Sequence, residues 1–190
     1  MKTYLFLAGL HLFLIVQSSH AADVGQSNAK CPALLNFKMP RLQDDKPQDL
    51  CQYAGRVVLV VNTASYCGYT EQYRGLEALN EKYQKKGVAV LGFPSNDFGS
   101  QEPKDNKAIA DFCTNTFGVK FPMFAKSQVI RTPSSNASPF YEALSKAANS
   151  QPRWNFHKYL IGKNGQIIAS FPSEVSPLDA RITKAIEAAL

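Results

Sequence analysis

The hydrophobic pattern is sharpest between residues 57 and 93. Val57-Val58-Leu59-Val60-Val61-Asn62 is an apolar, β-branched run of the length expected for a strand buried on both faces. The period then changes. From Thr70 to Lys86, Tyr73, Leu76, Leu79 and Tyr83 recur three and four residues apart among charged positions, which predicts an amphipathic helix. Gly87 stops it, and Val88 to Phe93 is a second apolar strand broken by Pro94-Ser95-Asn96. Strand, helix and strand with short connections predict a parallel pair joined by a right-handed crossover.

Further along, a helix is predicted from about Asp105 to Phe117, ended by Gly118. A shorter one runs from Phe140 to Ala148, entered through Ser138 as N-cap and Pro139. Tyr159 to Ile161 and Gln166 to Phe171 flank Lys163-Asn164-Gly165, an Asn-Gly hairpin signal. A last helix, about Leu178 to Leu190, follows Pro177. The Ser/Thr/Pro/Asn-rich stretch from Arg131 to Pro139 reads as a surface loop, and its Asn136-Ala137-Ser138 sequon as a chance match because Pro139 follows. This order predicts an α/β, thioredoxin-like fold: a central mixed β-sheet flanked by helices.

The start of the chain has a different character. Lys2, the mostly apolar run Tyr4 to Val16, and Ser19-His20-Ala21 read as a signal peptide over 1–21, too short for the roughly 20 apolar residues of a spanning helix. Cleavage is expected near Ala22, leaving 22–190 as one periplasmic or secreted domain with no stable membrane insertion. The formal charge of +6 is scattered rather than massed, which argues against a nucleic-acid partner. Cys31, Cys51, Cys67 and Cys113 all lie beyond the leader, and four cysteines allow three disulfide connectivities. They form no C-x-x-C pair and the three histidines do not cluster, so no metal site is expected.

Cys67 is the candidate for chemistry. It lies in Asn62-Thr63-Ala64-Ser65-Tyr66-Cys67-Gly68-Tyr69-Thr70, between the carboxyl end of a parallel strand and the start of a helix, where open α/β sheets concentrate their chemistry. Helix N-terminal amides favour a thiolate there. The placement looks like a thioredoxin active site whose second cysteine has become Thr70, so Cys67 must react alone or with a distant partner.

Three blocks carry a family resemblance. Val60 to Thr70, Leu91-Gly92-Phe93-Pro94-Ser95-Asn96-Asp97-Phe98-Gly99-Ser100-Gln101-Glu102-Pro103, and Trp154-Asn155-Phe156 resemble the signature blocks of glutathione peroxidases, in order and spacing, from about Phe37 to the C-terminus. The resemblance implies a tetrad of Cys67, Gln101, Trp154 and Asn155, in which amide and indole N–H groups stabilise a thiolate and orient a peroxide. It implies attack of Cys67 on a hydroperoxide, giving water or an alcohol and a sulfenic acid. A cysteine here in place of selenocysteine implies a lower intrinsic rate.

Cys113 matches the position of the resolving cysteine in thioredoxin-dependent relatives, while Ser95 stands where some of them carry another cysteine. Disulfide formation with Cys67 would then need a local rearrangement. Cys31 and Cys51 flank a hairpin-like segment, Leu35 to Leu50, and read as a structural disulfide contributing about 3 kcal/mol. No bound cofactor is expected; a thioredoxin-like protein is favoured over glutathione as the reducing co-substrate. The insertion that many tetrameric relatives carry before the Trp-Asn-Phe block is missing, which implies a monomer with an open face that admits lipid hydroperoxides as well as hydrogen peroxide. His157 is read as a surface residue. The rivals are an exported thiol-disulfide oxidoreductase, which Thr70 argues against by removing the second thiol, and a copper-delivery protein, for which Cys67 lacks a nearby cysteine.

Overall fold

The computed structural model describes Met1 and residues 31–190; the expected leader, apart from Met1, lies outside the described residues. The sheet is built around the apolar run. β3 (Val57–Thr63) pairs in parallel with β4 (Val88–Pro94), Val57 opposite Val88. On its other side β3 pairs antiparallel with β5 (Lys158–Ile161), which pairs antiparallel with β6 (Ile167–Phe171), giving the order β4-β3-β5-β6. A short hairpin, β1 (Lys38–Pro40) with β2 (Pro47–Asp49), precedes it. The helices are α1 (Gln72–Tyr83), α2 (Asn106–Phe117), α3 (Pro139–Ala148) and α4 (Ala180–Ala189). This is the thioredoxin-like α/β arrangement with a mixed sheet.

Why β3 and β4 carry no polar alternation follows from the packing. Val57, Leu59 and Val61 join a cluster with Tyr73 and Leu76 of α1, Ile109 of α2 and Ile182 and Ile186 of α4. Val58 and Val60 face the other way, against Phe140, Tyr141 and Leu144 of α3 and Leu35 and Leu50 of the N-terminal segment. Both faces are therefore covered, and every residue of β3 and β4 is buried. Gly92 lets a further segment approach β4: its amide donates to Pro122 and its carbonyl accepts from Phe124, both at 2.9 Å. A Cβ there would stand 2.2 Å from Met123 Sδ.

The helix ends differ in instructive ways. Asp105 caps α2 through Ala108 N (2.8 Å), and Gly118 closes it in the left-handed conformation at φ 64°, its amide on Thr114 O, a geometry glycine adopts without a Cβ penalty. Ser138 was expected to cap α3 by its side chain. Instead its hydroxyl is buried without a partner, and Pro139 in the first turn leaves fewer amides to cap,. Asp179 caps α4 through Arg181 N, so this helix starts two residues after the expected Leu178.

Candidate active site

β3 delivers the chain into a turn rather than directly into a helix. Regular α1 begins at Gln72, and successive tight turns bridge the interval, with Thr70 N on Cys67 O (3.0 Å) and Gln72 N on Tyr69 O (2.8 Å). Thr70, at the position of the second thiol of a C-x-x-C, ties this turn together. Its hydroxyl accepts from Cys67 N (3.0 Å) and lies within donating distance of Ala64 O and Cys67 O. Cys67 is 8% exposed, and the amide of Tyr69 donates to its sulfur at 3.4 Å. The amide that meets the sulfur thus belongs to the turn before α1.

The Cys67 turn is fastened to the loop after β4 by two hydrogen bonds. Tyr66 N donates to Gln101 O (3.1 Å), and Ser65 Oγ donates to Glu102 Oε2 (3.0 Å). Gln101 Oε1 in turn accepts from Asn155 Nδ2 at 3.0 Å. The Trp154-Asn155-Phe156 turn is held by Asn62 at the end of β3: Asn62 Nδ2 donates to Trp154 O (3.1 Å) and Asn62 O accepts from Phe156 N (2.6 Å). Phe156 adopts φ 62° there. This grip fixes where Trp154 and Asn155 sit.

The structure thus links Gln101 to Asn155 directly and to the Cys67 turn through the backbone. Trp154 stays at the rim, 39% exposed, with its ring 5.7 Å from that of Phe98. Among the described residues the sulfur of Cys67 makes no hydrogen bond to Gln101, Trp154 or Asn155; Tyr69 N is its donor. A groove of about 610 Å³ opens beside this rim, lined by Tyr69, Trp154, Arg153, His157 and Ser170 among others.

Cys113 lies on α2 in the same core cluster as Cys67, and the two are free thiols. Burial pushes the Cys113 thiol up to about 11, with the Tyr73 hydroxyl opposing that rise and Glu102 adding to it. Cys31 and Cys51 are disulfide-bonded, their Cα atoms 5.5 Å apart.

His157 departs from its expected surface position. It is 6% exposed, its Nε2 sits 2.8 Å from Ser170 Oγ, and its ring packs 4.8 Å from that of Tyr159. It is the residue immediately before β5, which starts at Lys158, one residue earlier than expected, and its carbonyl accepts from Asn62 N of β3 at 3.4 Å. Burial, reinforced by neighbouring Lys158, lowers its pKa to about 4, with Glu174 opposing. The folded protein therefore refuses a proton that the unfolded chain accepts near 6.5. Stability should fall by on the order of 3 kcal/mol as pH drops from about 6.5 to about 4, then level off with respect to this group. Urea midpoints across that range should show a gentler decline for His157→Gln; parallel curves would contradict the assignment.

Three functional-region residues were not singled out from sequence. Asn62 is a polar residue ending an apolar strand, and that contrast was the available signal. Glu102 is fully buried, and burial lifts its carboxyl above the ordinary range against the pull of Ser65, Lys126 and Lys104. Lys158 is also fully buried. Its ammonium donates to Gln72 Oε1 (2.5 Å) and Val175 O (2.6 Å), binding the start of α1 to the segment before α4, while burial brings its pKa down to about 7.

Comparison with known proteins decides between the peroxidase and the disulfide-exchange readings of such a site. A family profile described as glutathione peroxidase matches residues 35–145. The chain belongs to the glutathione peroxidase family. A glutathione peroxidase-like peroxiredoxin of Schizosaccharomyces pombe is 43% identical over 142 residues, 73% of this chain and 88% of that relative. A hydroperoxy fatty acid reductase of Synechocystis is 38% identical over 144 residues, 70% of this chain and 83% of that relative. The crystal structure of T. cruzi GPX1 superposes with a TM-score of 0.64 at 30% identity, covering 82% of this chain and 95% of that one. This glutathione peroxidase family member is a thiol-dependent peroxidase with cysteine, not selenocysteine, at the signature position. Among its described residues no three potential ligands gather as a metal site, and no helix is long and apolar enough to cross a membrane.

Proposed function

We propose that Cys67 is the peroxidatic nucleophile, with Gln101, Trp154 and Asn155 as the groups that hold and polarise the peroxide. The observation that carries this is the turn itself: a cysteine between β3 and α1, an amide on its sulfur, and the Gln101–Asn155 pair fastened beside it. The thiolate attacks the distal peroxide oxygen, the O–O bond breaks, and the departing alkoxide or hydroxide takes a proton to leave as alcohol or water. Cys67 becomes a sulfenic acid.

Resolution falls to Cys113. Its sulfur displaces the sulfenic hydroxyl, the S–O bond breaks, an S–S bond forms, and the thiol proton leaves with the hydroxyl as water. Because Cys113 is 2% exposed and carried by α2, this step requires α2 to open locally. A thioredoxin-like dithiol is the preferred donor to the resulting disulfide, with glutathione the second choice. The open groove beside Trp154, and the name of the Synechocystis relative, support organic and fatty-acid hydroperoxides as substrates alongside hydrogen peroxide. Export through the leader, and action as a monomer, complete the reading.

A donor-by-acceptor assay tests it. Hydrogen peroxide and a fatty-acid hydroperoxide should both be consumed, at least about tenfold faster with thioredoxin than with glutathione, and insulin disulfides should remain intact. Reduction of insulin without peroxide consumption would favour the disulfide-exchange alternative.

A further inference from the structure

The tetrad names Gln101, but the adjacent residue has the more constrained environment. Glu102 is fully buried in the loop between β4 and α2. Its backbone amide is taken by Asn96 Oδ1 at 2.8 Å, and its carbonyl accepts from Lys126 Nζ at 3.2 Å, so the peptide frame around it is fixed. One carboxyl oxygen accepts from Ser65 Oγ, two residues before Cys67; the other is buried without a partner. Together with Tyr66 N on Gln101 O, the Ser65–Glu102 bond makes a pair of adjacent cross-links between the loop of the nucleophile and the loop of Gln101. Only this second link is made by side chains.

We propose that Glu102 is a positioning residue for the peroxide step: through Ser65 it holds the Cys67 turn in register with Gln101. The inference rests on Cys67 being the nucleophile. A buried carboxyl with one partnerless oxygen is costly to ionise. The groups around it act in both directions. Burial opposes the carboxylate, whereas Ser65, Lys126 and Lys104 favour it, and a charge there disfavours ionisation of Tyr73 and Cys113. A glutamine preserves the shape and the acceptor for Ser65 while removing the ionisation.

The test follows oxidation of Cys67 by one equivalent of hydrogen peroxide in the full-length protein, read by the fluorescence of Trp154, the only tryptophan in the chain and placed at the rim of the site. Glu102→Ala and Ser65→Ala should each lower the second-order rate constant about tenfold to a hundredfold, as expected when a reacting group shifts by a fraction of an ångström to an ångström. Glu102→Gln should stay within about threefold of the parent near neutral pH. Should Glu102→Ala fail to fold, Ser65→Ala carries the test, since it removes the same hydrogen bond and leaves the carboxyl in place. Parental rates in the folded alanine variants, or a Glu102→Gln rate as low as that of Glu102→Ala, overturn the proposal. Cys67→Ser run in parallel separates the two readings: residual oxidation there sinks the assignment of the nucleophile, whereas a silent Cys67→Ser with a fully active Ser65→Ala sinks only the role of Glu102.

Discussion

Cys67→Ser should reduce hydroperoxide consumption to the uncatalysed rate, a loss on the order of 10⁴-fold or more, as for other removed nucleophiles. At about 1.4 kcal/mol per tenfold, that is at least about 5 kcal/mol of transition-state stabilisation. The size of the effect follows from the absence of a substitute. Thr70 supplies no thiol, and its hydroxyl is already engaged with Cys67 N, Ala64 O and Cys67 O. Gln101 and Asn155 offer amides and no nucleophile. Serine keeps the hydrogen-bonding shape of the turn, so thermal stability should stay close to that of the parent while activity vanishes. Peroxide consumption above background in this variant, measured with either donor, would end the account of the reaction.

Cys113→Ser should separate the first turnover from the later ones. The initial oxidation of Cys67 should proceed at the parental rate, because Cys113 makes no bond to it in the reduced fold. Sustained turnover with a thioredoxin-like donor should fall by on the order of a hundredfold, and repeated exposure to peroxide should carry Cys67 past the sulfenic acid to the sulfinic acid. Burial explains the order of events. A thiol pushed up to about 11 is a poor nucleophile where it sits,, and it gains reactivity only when α2 opens and returns it to water. Undiminished turnover with thioredoxin in Cys113→Ser would show that a donor thiol resolves Cys67 directly.

Much of the architecture was legible because the sequence and the packing obey the same periods. β3 and β4 read as apolar runs since helices cover both their faces, and α2 was bounded by Asp105 and Gly118, both of which act in the structure as their chemistry suggests. The start of α1 was less legible. Thr70 to Glu71 carry helix-compatible residues, but the hydrogen bonds of Thr70 hold them in tight turns, and no periodicity registers that. The tetrad candidates were found through the three blocks, whereas Asn62, Glu102, His157 and Lys158 were passed over or assigned to the surface. Hydrophobic patterning sorts polar residues outward, and these four are inside because each meets a specific partner across the fold: Trp154 O, Ser65 Oγ, Ser170 Oγ and Gln72 Oε1. Such pairings join positions far apart in sequence, so only the folded chain displays them.

The most direct test of the central claim is to treat the reduced-at-Cys67 protein with one equivalent of hydrogen peroxide, block free thiols, and map the cysteines by mass spectrometry of the digest. The account predicts a peptide pair joining Cys67 to Cys113 beside an unchanged Cys31–Cys51 pair. Peroxide consumed while Cys67 is recovered as a blocked free thiol would contradict it.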